Sequence, residues 1–146
     1  MYFEEFVLGS TTEIAPAEIY KDEMVAFAEK YDAIPLHTDE EYAKSTIFGK
    51  LIAPGVMSFL AVWAKYLEQD LAGEELLAGK STHIEWFRQV FAGDVLSSTC
   101  TVSKLTRRNQ KNGIVELTFE VKNQNGDVVL TNITEMIVKC KIQERA

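Results

Sequence analysis

A chain of 146 residues, 47% hydrophobic and 25% charged, has the make-up of an ordinary globular protein large enough for its own core. No apolar run reaches the roughly 18 residues of a membrane span, and the opening Met-Tyr-Phe-Glu-Glu-Phe is acidic and aromatic, unlike a secretory leader. A net charge of −7, from 15 basic and 22 acidic residues, argues against general nucleic-acid binding but leaves room for a small anionic ligand in a local basic cluster.

These features describe a cytoplasmic protein without membrane or nucleic-acid partners, organised as one domain over residues 1–146. Cys100 and Cys140 lie in strand-like stretches without metal-type spacing, so both are expected as buried free thiols and no metal site is expected.

In chain order, the first predicted element is a helix beginning near Pro16, a residue suited to the opening turn, with Glu18 close behind. Its apolar positions Tyr20, Met24, Phe27, Ala28 and Tyr31 recur at helical spacing. Next comes the most informative segment, Asp32-Ala33-Ile34-Pro35-Leu36-His37, which holds one of the two histidines. Pro35 cannot continue a helix and pushes Ile34 toward an extended conformation. The segment is therefore a stiff corner, with Asp32 closing one helix and His37 just ahead of the next. A carboxylate and an imidazole on one rigid corner can share a water, as general acid–base catalysis requires.

Thr38-Asp39-Glu40-Glu41 has the form of a capping box opening a short helix through Tyr42 and Lys44. A second turn, Phe48-Gly49-Lys50-Leu51-Ile52-Ala53-Pro54-Gly55, leads into the most apolar helix, Gly55 to Leu67, which must be covered by something else. From about residue 81 to 142 the pattern predicts four consecutive strands. The clearest alternates Val115, Leu117, Phe119 and Val121 with polar residues. Asn112-Gly113 and Asn125-Gly126 read as hairpin turns, and Ala92-Gly93-Asp94 as a third tight connection. The parts predict an α+β domain in which a curved antiparallel meander wraps a long apolar central helix.

The corner, followed by Phe48-Gly49 and Ile52-Ala53-Pro54-Gly55, resembles the hydratase signature of MaoC-like hot-dog proteins, a group that includes the (R)-specific enoyl-CoA hydratases. Tyr2-Phe3-Glu4-Glu5-Phe6 with Gly9 looks like the family's opening, and Arg88 to Asp94 like its link between the second and third strands. The resemblance implies a hot-dog fold, a homodimer or higher homo-oligomer, and an acyl thioester as substrate. It implies reversible addition of water to a trans-2-enoyl group without a cofactor, coenzyme A being part of the substrate. Position by position, Asp32 and His37 would activate the water, and the backbone N–H of Gly55 would donate to the thioester carbonyl. Ile34, Phe48, Pro54, Met57 and Trp63 would border the substrate. Three positions depart from the usual pattern: Ile34 replaces Asn or Gln, Pro54 replaces His or Ser, and Trp63 stands where some members carry serine.

The residues support that chemistry independently. Gly55 opens a buried helix whose free N–H groups point out along the positive end of the dipole, and the missing side chain admits a carbonyl closely. Alone, an acid–imidazole pair at a helix end reads first as a structural hydrogen bond; the proline corner and the glycine helix start at the family's spacing turn the reading to catalysis. Met57 and Trp63 read first as core, with one end of their row at an acyl tunnel. Arg107, Arg108 and Lys111 read first as a solvated turn, and alternatively as a clamp for coenzyme A phosphates; Lys50 and Lys44 are weaker candidates of that kind. Two other functions remain open: a hot-dog thioesterase, and a non-catalytic acyl-thioester-binding or dimerisation module. The central helix has no Asp or Glu before Glu68, which disfavours the thioesterase.

Overall fold

Pro16 does not open a helix. In the computed structural model, which describes residues 1–69 and 71–142, it lies within a strand, β1 (Thr11–Glu18). Ile14 and Ala17 turn inward from β1, and the register with its neighbour slips between them, across Ala15 and Pro16. A proline has no N–H for the ladder, so an edge strand with an irregularity is where a sheet tolerates one. The first helix, α1 (Lys21–Tyr31), starts beyond it. Of its expected apolar face only Met24 and Ala28 are fully buried, and Tyr20 and Tyr31 are exposed.

A one-turn helix, α2 (Pro35–Thr38), follows, with Pro35 at its opening, and then α3 (Glu40–Lys44). The expected capping box is replaced by a simpler cap. Thr38 ends α2 and its hydroxyl donates back to the Ile34 carbonyl, while the Asp39 carboxylate accepts from the Tyr42 N–H at 3.1 Å.

The apolar helix α4 (Gly55–Glu68) precedes β2 (Leu76–Trp86), β3 (Val95–Arg107), β4 (Asn112–Lys122) and β5 (Val128–Lys139). All pairings are antiparallel and the strand order is β1-β3-β4-β5-β2. The expected meander holds for β3-β4-β5 only. β2 pairs with β5 rather than with β3, so the segment after Trp86 crosses from one side of the sheet to the other. Asn112-Gly113 begins β4 instead of forming the hairpin tip. A Cβ on Gly113 would come within 2.5 Å of the Phe3 ring, so this glycine admits the N-terminal aromatic to the sheet. Gly93 and Gly126 do occupy tight connections, at φ +87° and +80°.

One side of α4 lies on the sheet, where Phe59, Trp63 and Tyr66 pack edge-on to Phe119 of β4 at 6.0, 6.1 and 5.7 Å between ring centres. The sheet covers that side alone: Val56, Leu60 and Leu67 stay exposed on the other. Cys100 and Cys140 are buried free thiols, and burial pushes the Cys100 thiol up to about 12. No helix among the described residues is long and apolar enough to cross a membrane.

The Tyr66 hydroxyl is buried without a hydrogen-bond partner among the described residues, and desolvation raises its pKa. An unmade hydrogen bond in the interior costs about 1–3 kcal/mol. Tyr66→Phe is therefore expected to raise the melting temperature, by about 2–4 °C for each kcal/mol recovered in a chain of this size. Differential scanning calorimetry of the two proteins measures it, and a lower Tm for the variant would mean that the hydroxyl does have a partner.

Candidate active site

The proline corner forms as its sequence requires. Asp32 closes α1, its N–H donating to the Ala28 carbonyl at 2.8 Å, and Ile34 is extended with ψ 149°. Pro35 then starts the single turn that carries His37, so the histidine lies inside α2 rather than ahead of a helix. The segment before α4 is tied to this corner by the Ile52 N–H donating to the Leu36 carbonyl at 3.2 Å.

His37 is buried, and its two nitrogens face different partners. Nδ1 lies 2.7 Å from the Ile52 carbonyl oxygen, and Nε2 lies 3.3 Å from Oδ2 of Asp32. A carbonyl only accepts, so Nδ1 carries a proton and Nε2 is the nitrogen free to exchange one with the carboxylate. The Asp32 side chain is half exposed, at 45%. One ring is thus anchored in the interior while its acid partner reaches solvent.

Both side chains line a cavity of 320 Å³ together with Gly55, Ser58, Trp86, Arg88 and Gln89. Pro54, at the cap position of α4, makes no side-chain capping bond, so the first N–H groups of the helix have no partner from their capping residue. A Cβ on Gly55 would meet the Trp86 indole at 2.6 Å, so any larger residue here would have to displace that ring. Ser58, one turn along α4, is buried and its hydroxyl donates only over a long 3.5 Å to the Pro54 carbonyl. Among the described residues no group of three or more His, Cys, Asp or Glu is placed to hold a metal ion.

The structure brings Asp32, His37 and Gly55 together and leaves the other expected residues elsewhere. Ile34 is exposed; its carbonyl accepts from the His37 N–H and the Thr38 hydroxyl, so its backbone shapes the corner while its side chain stands outside the cavity walls. Phe48 is half-buried, Pro54 and Met57 are buried, and none of the three lines the cavity. Trp63 borders a separate hollow of 740 Å³ against β2.

Arg107 and Lys111 line another hollow of 700 Å³, beside Cys140, which shares no wall with Asp32. Arg107 is already engaged, with its Nη1 3.2 Å from Glu4 and 3.4 Å from the Cys140 sulfur. The Lys141 backbone N–H, helped by Arg107, holds the Glu4 carboxyl below its ordinary range. Arg108 is exposed in the β3-β4 turn, where its N–H donates to the Asn112 carbonyl. A phosphate clamp at this end would lie away from the dyad.

Residues 6–125 match the family model described as a MaoC like domain. The chain belongs to the MaoC-like family. Its fold is the hot-dog fold of that family, an α+β arrangement of five antiparallel strands and a few helices. The monoamine oxidase regulatory protein of Archaeoglobus superposes with a TM-score of 0.90 at 31% identity, covering 97% of this chain and 96% of that one. A MaoC-like dehydratase from Rhodospirillum rubrum gives a TM-score of 0.87 at 25% identity, over 98% and 99%. The (R)-hydratase of A. caviae involved in PHA biosynthesis gives 0.74 at 27% identity, over 94% and 99%.

In this MaoC-like chain, Trp86, Arg88 and Gln89 are cavity residues that a sequence reading passes over, while Ser58 is one that it can place near the site, together with Ser45, without singling it out. Trp86 ends a strand pattern, and Arg88-Gln89 looks like a plain inter-strand link. Only the crossover of that link, held by the Ala53 N–H on the Val90 carbonyl at 2.7 Å, sets them beside α4.

Proposed function

We propose that this chain catalyses the reversible hydration of trans-2-enoyl thioesters, with coenzyme A as part of the substrate and no separate cofactor. The observation that carries this reading is a single cavity holding an acid–imidazole pair 3.3 Å apart and the glycine N-terminus of an uncapped helix. The thioester carbonyl is received at the Gly55 N–H, which places C2 and C3 of the enoyl group before the pair. A water between Oδ2 and Nε2 loses a proton to the pair as its oxygen bonds to C3. The C2=C3 electrons move toward the carbonyl, and the resulting enolate oxygen is held by the Gly55 N–H. The pair then returns a proton to C2, so it ends with the number of protons it had at the start. His37 suits this exchange because its Nδ1 proton is committed to Ile52, leaving Nε2 alone to cycle.

A homodimer fits the same reading. β2 is an edge strand of 11 residues with a mostly exposed burial pattern, and Leu77, Trp86 and Phe87 are exposed on and just beyond it. An open edge of that length, beside the exposed Val56, Leu60 and Leu67 of α4, is the kind of surface a second copy covers.

The test is a screen of enoyl-CoA thioesters from four to twelve carbons, following absorbance of the conjugated double bond and release of free thiol in parallel. Loss of absorbance without thiol is expected for at least one chain length. Thiol release instead would make the protein a thioesterase, and neither signal at any length would end the enzyme reading.

A further inference from the structure

We infer that the polar groove bordered by Lys50 and Arg88 receives the diphosphate of coenzyme A, an inference that rests on the thioester reading above. The groove has a volume of 580 Å³ and is lined by Lys50, Arg88, Gln89, Asp94, Asn123 and Asp127, among others. It shares Arg88 and Gln89 with the cavity of Asp32, His37 and Gly55, so the two hollows lie on either side of one short length of chain. That length is fixed from both ends: the Phe87 N–H donates to Val129, and the Val90 carbonyl accepts from Ala53. A carrier arm leaving a carbonyl at Gly55 crosses Arg88-Gln89 and arrives at Lys50.

The charges there are poised for an anion. The Lys50 ammonium sits 4.4 Å above the Phe91 ring and has no carboxylate within 4.0 Å among the described residues. Among the described residues Arg88 has only a 3.9 Å approach to Asp127, with the Arg88 side chain exposed and that of Asp127 half exposed, a contact that competes weakly with a phosphate. The groove's other acid is occupied internally, since Asp94 accepts from the Phe91 N–H and from the Gln124 amide, both at 2.9 Å. The alternative basic pair is worse placed: Arg107 is bound to Glu4, and its hollow has no wall in common with the catalytic cavity. Coenzyme A is favoured over an acyl-carrier protein because a chain of net charge −7 repels an acidic carrier.

Titration calorimetry with free coenzyme A and with pantetheine, which lacks the phosphates, tests the inference without turnover. Lys50→Ala and Arg88→Ala are each expected to raise the Kd for coenzyme A about tenfold while leaving pantetheine binding as it was, as charge-assisted hydrogen bonds would. Arg107→Ala is expected to change neither. Unchanged coenzyme A affinity in both groove variants, equal weakening of pantetheine, a loss in Arg107→Ala, or no binding of coenzyme A by the unmodified protein would each overturn it. Coenzyme A bound through Lys50 and Arg88 by a protein that hydrates no enoyl thioester would instead remove the hydratase reading and leave the groove assignment standing.

Discussion

Asp32→Asn is expected to lower kcat for enoyl-thioester hydration by about 10²–10⁴-fold, the usual contribution of a positioned acid or base. The amide is nearly isosteric, and the side chain it replaces is 45% exposed and, among the described residues, bonded only to His37, so the melting temperature should stay close to that of the unmodified protein. His37→Gln is expected to lose as much activity, but it also disturbs the donor that satisfies the Ile52 carbonyl in the interior. A fall in stability should therefore accompany the loss in His37→Gln and not in Asp32→Asn. Steady-state hydration rates beside thermal unfolding curves separate the two effects. Near-normal turnover in a folded Asp32→Asn protein would mean that the pair is a structural hydrogen bond.

Gly55→Ala is expected to reduce kcat by about 10²–10³-fold, the scale of a lost oxyanion donor. The N–H remains, yet the new methyl group would lie 2.6 Å from the Trp86 indole and in the approach to the helix start. The ring must swing away or the helix must retreat, and either displaces the donor from the carbonyl. Gly55 has no positive φ, so alanine suits the backbone and the helix itself is not weakened. Trp86→Ala placed on top of Gly55→Ala removes the clash and should recover part of the rate. Full activity in Gly55→Ala alone would show that the substrate carbonyl is held elsewhere.

The parts of this site that were legible in the sequence are those made by neighbours in the chain. Pro35 sets the bend between α1 and α2 through its own ring geometry, and Asp32 and His37 flank it, so their meeting at 3.3 Å follows from five consecutive peptide units. Gly55 at the head of α4 was legible for the same local reason, as were the alternation in β4 and the buried thiols. Pro16 misled because one proline serves equally at a helix start and at an irregular edge strand, and pairing with β3 decided between them. Arg107, Arg108 and Lys111 formed the most conspicuous basic cluster along the chain, yet the sheet carries them to an end where Arg107 is spent on Glu4.

By itself, the sequence determined the corner, the acid–imidazole pair, the apolar helix and the family, because turns, periodicity and short motifs act within a few residues. The tertiary structure alone decided that β2 leaves its neighbour β3 to pair with β5. It alone decided that the crossing segment brings Trp86, Arg88 and Gln89 to the dyad, and that Lys50 stands beyond them. These hollows gather residues 30 or more positions apart, for example Asp32 with Trp86 in one and Lys50 with Arg88 in the other. They are chosen by which strand edge and which apolar face remain to be covered once the local pieces have formed, a choice that no short stretch of chain contains.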